Sequence, residues 1–292
     1  MTGDDLTDQE TPAEVRVLRA SARRVLTPCG DGSIVWHAWG ERSGSNLPPL
    51  VLLHGGSGSW THWLRNITAL AAAGRSVWVP DLPGFGDSAM PPDGDDADAM
   101  PAPLEEGLQR LLGEQACDLV GFSFGAMTAG LFAAAYPGRV RRLVLVGAPG
   151  FGIEPLQPYR LKGWRHLPRQ AARDAVHRHN LAELMLHDPA KITPLACWLQ
   201  ADNAVRDRLP GRRLSRTPVL ARCLQQLEQP AQLVYGSEDV FYKGQPERYV
   251  EALAAMDRGH SVVAVEGAGH WVQFERPAHF NALLLASLDG PG

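Results

Sequence analysis

No stretch of this 292-residue chain approaches the roughly eighteen uninterrupted apolar residues that a membrane-spanning helix needs. Met1 to Glu14 is acidic and polar, with no apolar leader core. Cysteine is scarce: Cys29, Cys117, Cys197 and Cys223 are widely spaced and form no C-x-x-C, which favours free thiols over a disulfide framework or a zinc site. An excess of positive charge is missing too. With 28 Lys and Arg against 32 Asp and Glu, the formal charge of −4 leaves no field to attract nucleic acid or an anionic membrane. No G-K-[ST] follows Gly55-Gly56-Ser57-Gly58, so a phosphate cradle lacks its lysine. No H-E-x-x-H occurs, and His177 and His179, two apart on a helical stretch, face different directions. The acidic run Asp93 to Asp98 lacks the distal glutamate of a calcium loop and reads as a solvated turn. These absences lead us to expect a soluble, cytoplasmic protein with a small-molecule substrate, no nucleic acid, no membrane, no cofactor and no metal. Nothing in them sets an oligomeric state.

What is present is apolar and periodic. At 45% hydrophobic residues the chain can fill one large core. After an N-terminal tail over 1–14, short runs rich in Val and Leu alternate with longer helical stretches. Ala22 to Thr27 and Ile34 to Trp39 flank a glycine-rich turn and predict an opening β-hairpin. Leu50 to His54, Ser76 to Pro80, Cys117 to Gly121, Leu143 to Gly147, Leu233 to Gly236 and Ser261 to Val265 are mostly continuous apolar runs, as in strands buried on both faces of a parallel sheet. Helices are predicted over Thr61 to Ala73, Leu104 to Glu114, Gly125 to Tyr136, Pro246 to Met256 and Pro277 to Leu288. The class is α/β, with a mostly parallel, doubly wound sheet. About eighty-five residues separate Gly147 from Leu233, where a crossover needs roughly a dozen to thirty. The excess, 151–216, is helical in character and predicts a cap inserted over the strand ends, leaving 15–150 and 217–292 as the core.

The chemistry centres on Gly121-Phe122-Ser123-Phe124-Gly125, where an apolar strand gives way to a helix. A serine between two glycines at such a junction is the nucleophile-elbow pattern: the chain turns sharply and the hydroxyl stands clear of the sheet. Three further segments fall just past predicted strands: His54-Gly55-Gly56, Gly236-Ser237-Glu238-Asp239 and Gly269-His270-Trp271. Parallel strands bring these ends to one edge. A serine hydroxyl needs a base during attack, and an imidazole with a reference pKa near 6.5 suits the task, which designates His270. Asp239 would orient that imidazole, with Glu238 as its rival. Backbone N–H groups of Gly56 and Phe124 would stabilise the oxyanion. Gly55, Trp60, Phe122, Trp164, Trp198 and Trp271 are candidate pocket residues, each of which ordinary core packing would also explain.

With Asp81-Leu82-Pro83-Gly84-Phe85-Gly86-Asp87-Ser88 added, these segments in the order Ser, acid, His resemble the α/β-hydrolase-fold serine hydrolases from about Arg23 to Leu288. The resemblance implies a cofactor-free acyl-enzyme mechanism, and a small, largely apolar carboxylic ester is the expected substrate. The segment Gly269 to Glu275 with Phe280-Asn281 is also similar to the meta-cleavage-product hydrolases, which implies carbon–carbon bond cleavage in ring-fission keto acids as the alternative. Two departures stand against it: Phe122 where that family tends to carry asparagine, and Gln200 near its carboxylate-binding arginine, for which Arg206 or Arg208 would have to substitute. The basic run Arg160, Lys162, Arg165, Arg169, Arg173 and Arg178 reads as a solvated helix face or as an attractor of carboxylates. A ligand receptor or scaffold of the same fold, with little turnover, is the remaining alternative.

Overall fold

The computed structural model describes residues 10–40, 47–209 and 211–290. Eight strands form one sheet: β1 (Arg23–Cys29), β2 (Gly32–Trp39), β3 (Leu50–Leu53), β4 (Val77–Pro80), β5 (Cys117–Phe122), β6 (Val140–Val146), β7 (Ala231–Gly236) and β8 (Ser261–Val265). Their spatial order is β1-β2-β4-β3-β5-β6-β7-β8. β2 runs antiparallel to both its neighbours, and every other pairing is parallel. The predicted hairpin is therefore β1 and β2, and the doubly wound α/β class holds.

Continuous apolar strands follow from coverage of both faces. Along β3, Val51 and Leu53 pack into one core layer while Leu50 and Leu52 pack into the other. On the first face lie helices Pro101–Leu112 and Phe124–Ala135. On the second lie Ile67–Ala72 and Pro277–Asp289. No helix among the described residues is long and apolar enough to cross a membrane.

Two local expectations differ from the structure. Residues 1–9 of the expected tail lie outside the described residues, but Ala13 and Glu14 open a helix, Ala13–Ala20, because Val15 is buried and Leu18 packs against the second core layer. The helix expected over Thr61 to Ala73 is broken: a 3₁₀ turn, Trp60–Trp63, precedes an α-helix that starts only at Ile67. The Ser59 side chain accepts from Thr61 N–H and so caps that turn.

Between β6 and β7 the chain forms helix Gln170–Asn180, a π-turn Leu181–Met185, helix Pro194–Val205 and short 3₁₀ turns. Two anchors tie this segment to the histidine loop. Trp271 N–H donates to Met185 C=O, and the buried Glu275 carboxylate accepts from the N–H groups of Gly269, His187 and Asp188. Helix Val219–Gln226 packs instead on the core, where Leu220 leaves no room for a side chain at Gly130.

Candidate active site

Ser123 sits directly after β5 with φ of 52°, a left-handed conformation that costs a non-glycine residue about 1–3 kcal/mol. The flanking glycines explain how it is held. A Cβ on Gly121 would lie 2.2 Å from the Gly125 carbonyl oxygen, and one on Gly125 would lie 2.5 Å from the His54 carbonyl oxygen. Helix and strands therefore approach at backbone contact distance, and Ser123 N–H is fixed on Val146 C=O at 2.8 Å.

The strand ends bring three side chains into line. His270 Nε2 lies 2.9 Å from the half-buried Ser123 Oγ, and His270 Nδ1 lies 2.8 Å from Asp239 Oδ2. Asp239 is fully buried, and its other oxygen accepts from Phe241 N–H at 3.0 Å. Glu238 points elsewhere: it pairs with Lys243 at 2.5 Å, a contact that pulls its carboxyl below the usual range. Such an array lets the serine hydroxyl donate to an imidazole whose far nitrogen is held by a carboxylate, the geometry of a base-activated nucleophile. The N–H groups of Gly56 and Phe124 have no hydrogen-bond acceptor among the described residues, so both remain available to a ligand oxygen.

The candidate pocket residues separate into two groups. A Cβ on Gly55 would fall 3.2 Å from Ser123 Cβ, Phe122 lies with its ring centroid 5.0 Å from that of His270, and Trp271 follows His270 directly. Trp164 lines a cavity of about 480 Å³ with Gly56, Ser57, Arg165, Met185 and Gln200. Trp60 packs away from this group, against His37 and Trp39, and Trp198 is buried in the second core layer without lining the cavity. Both are core aromatics. A second cavity of about 400 Å³ is bounded by Phe241, Tyr159 and Arg216, and the Phe241 ring also lies 5.1 Å from His270.

The arginines between β6 and β7 have partners other than those expected. Arg206 pairs with Asp202 and Asp87, and Arg208 donates to the carbonyls of Phe85, Gly86 and Ser88, so both serve to hold the Asp81–Ser88 loop. The arginine that lies against Gly56 is Arg212. A Cβ on Gly56 would meet its Cζ at 3.4 Å and both terminal nitrogens at 3.6 Å, so the guanidinium lies flat over that residue. It rests against the rings of Phe85 and Phe124 at 5.3 and 5.7 Å and binds Asp207 through both terminal nitrogens. Sequence reading missed it because Arg212 lies between helices Pro194–Val205 and Val219–Gln226, where no periodicity fixes a direction.

The Asp81–Ser88 segment braces the site. Asp81 accepts from the N–H groups of Trp60 and Asp87, and Leu82 N–H donates to His54 Nε2 at 2.8 Å. His54 in turn donates from Nδ1 to Gly55 C=O at 2.8 Å, which fixes its tautomer, and burial pushes its pKa down.

Residues 50–283 match the sequence profile of the Alpha/beta hydrolase family. The chain belongs to that family. It is 30% identical over 258 residues to a 2-hydroxy-6-oxononadienedioate/2-hydroxy-6-oxononatrienedioate hydrolase of Paraburkholderia phymatum, covering 83% of this chain and 88% of the relative. It is 27% identical over 257 residues to a 2-hydroxy-6-oxo-6-phenylhexa-2,4-dienoate hydrolase of Comamonas testosteroni, covering 81% and 86%. Among solved structures, a meta-cleavage product hydrolase from Pseudomonas fluorescens aligns with a TM-score of 0.72 at 22% identity, over 91% of this chain and 97% of that one. A carboxylesterase from Bacillus subtilis aligns with a TM-score of 0.71 at 20% identity, over 96% and 95%. At those identities the structural matches speak for the fold alone, and the family's hydrolase chemistry rests on the sequence relationship.

Proposed function

We propose that this hydrolase cleaves a carbon–carbon bond beside a ketone in an anionic keto acid of the ring-fission type. This reverses the ranking expected from sequence, where a carboxylic ester came first, and it rests on the named sequence relatives and on Arg212. Ser123 attacks the ketone carbon while His270 takes its proton, and Asp239 stabilises the imidazolium. The oxyanion is held by the N–H groups of Gly56 and Phe124. Collapse breaks the bond to the α-carbon, whose electron pair is delocalised into the conjugated keto acid and which is then protonated from the imidazolium. Water, deprotonated by His270, releases the acyl group from Ser123, so that one water is consumed and an acid and a shortened keto acid leave.

The observation that carries this reading is the guanidinium lying flat over Gly56. Only part of its five-donor fork is engaged by Asp207, and the remaining N–H groups suit a substrate carboxylate. A second reading draws on the same pair: because Asp207 already neutralises Arg212, a neutral ester is also accommodated.

Steady-state kinetics on a ring-fission keto acid and on p-nitrophenyl acetate, with wild type and Arg212→Met, separate the two. The Arg212 side chain is 26% exposed, so a substrate carboxylate that loses it forfeits charge-assisted hydrogen bonds worth about 2–3 kcal/mol, or roughly 30- to 150-fold. We expect wild type to prefer the keto acid, with kcat/KM for it falling by that factor in the variant while the ester rate stays within about tenfold. Preference for the ester, indifferent to Arg212, would establish the ester reading instead.

A further inference from the structure

We propose that His62, which lies outside the Ser123, His270 and Asp239 array, is a positioning residue for the oxyanion hole, holding the peptide ahead of Gly55 so that Gly56 N–H is aimed at the reacting carbonyl. This rests on the reading of Gly56 and Phe124 as the oxyanion donors.

The local sequence builds the contact. Ser59 opens the tight turn Trp60–Trp63, which folds His62 back over residues seven positions earlier. There Gly55 N–H donates to His62 Nδ1 at 3.2 Å. Gly58 makes room for the ring, since a Cβ on it would lie 2.3 Å from His62 Cε1. The imidazole also touches the other two loops of the site: its centroid is 5.5 Å from that of Phe122, the residue before Ser123, and 4.9 Å from that of Trp271, the residue after His270. Trp271 Nε1 donates to the His62 carbonyl at 3.0 Å.

Two imidazoles thus hold the two peptides on either side of Gly55. His62 accepts from its N–H, and His54 donates to its C=O. A trans peptide points its C=O and N–H in opposite directions, so His54 sets the peptide that carries Gly56 N–H, while His62 holds the peptide before it and so removes the freedom of the Gly55 backbone dihedrals that would let that N–H swing. Nδ1 of His62 can accept only if the ring is neutral. Burial, reinforced by His54 and His270 nearby, drives its pKa well below the ordinary value and keeps it so. The remaining nitrogen, Nε2, has no hydrogen-bond partner among the described residues, so the N–H it carries in this tautomer is not what holds the ring.

A donor that must be in place before charge develops contributes to the transition state and not to ground-state binding. A misplacement of about 1 Å is worth on the order of 10²-fold in rate. His62→Phe preserves an aromatic ring between Phe122 and Trp271 but has no acceptor. His62→Asn loses the ring, but its Oδ1 occupies nearly the place of Nδ1. The probe is a fluorophosphonate, whose attack by Ser123 passes through a phosphorus oxyanion whatever the natural substrate is. We expect His62→Phe to lower the limiting rate of Ser123 labelling about 10²-fold with half-saturation within about threefold, and His62→Asn to restore the rate to within about fivefold of wild type. Wild-type labelling by the Phe variant, or an Asn variant as slow as the Phe variant with both melting as wild type, would overturn the assignment. So would a loss confined to half-saturation. Labelling at a residue other than Ser123 in wild type would instead refute the underlying active-site reading.

Discussion

Replacing Asp239 by asparagine should inactivate the enzyme through a tautomer and not through a lost charge alone. The carboxylate has two demands placed on it: Oδ1 accepts from Phe241 N–H at 3.0 Å, and Oδ2 accepts from His270 Nδ1 at 2.8 Å. An amide has one acceptor. The Phe241 N–H is backbone and cannot turn away, so the amide oxygen stays with it and the NH₂ group faces His270. The imidazole must then accept at Nδ1 and carry its proton on Nε2, 2.9 Å from Ser123 Oγ, where it can no longer take the serine proton. For such an arrangement the loss is about 10⁴-fold in kcat, or ~5 kcal/mol of transition-state stabilisation. Glu238→Gln removes rim contacts with Lys243 and His187 and should stay within about threefold. The assay is kcat/KM on whichever substrate class turns over, with thermal melting to confirm that both variants are folded. An Asp239→Asn enzyme within tenfold of wild type, or a larger loss for Glu238→Gln, would refute the assignment of the acid and with it the tautomer argument.

Ser123→Ala should lower turnover by 10³-fold or more while the melting temperature stays within about 2 °C, because the elbow is set by the backbone contacts of Gly121 and Gly125; retention of a tenth of the activity would remove Ser123 from its role. Stability should fall as pH drops below about 6.5. His54 and His62 are held neutral with lowered pKa values, so the unfolded chain binds more protons there, and an imidazole that stays neutral throughout, as His62 is placed to do, removes at most about 1 kcal/mol between pH 6.5 and 5.5. Urea midpoints at pH 7.5, 6.5 and 5.5 read the slope, which should be shallower by one imidazole in His62→Asn; equal slopes would contradict a neutral His62.

Sequence made the sheet legible because its strands are buried on both faces, and a run such as Leu50 to Leu53 admits few other readings. It placed Ser123, Asp239 and His270 near one another for a related reason: all three lie just past parallel strands, whose ends meet at one edge whatever the loops do. What it left out depends on loop direction. Thr61 to Ala73 has helical periodicity, and an α-helix through His62 would have carried its ring along the helix surface; instead Ser59 opens a 3₁₀ turn that ends at Trp63, the α-helix begins only at Ile67, and the ring falls onto Gly55. Arg206, Arg208 and Arg212 are equivalent as charges in a sequence, and only the carboxylates and carbonyls around them decide their duties. Asp87, Asp202 and the Phe85 to Ser88 carbonyls engage the first two, while Asp207 leaves Arg212 lying over Gly56. The array of Ser123, His270 and Asp239 that we propose as catalytic is thus encoded by topology, which short motifs report well. The surroundings that choose a substrate and aim its oxyanion donors are encoded by side-chain partners, and those become visible only when the loops are folded together.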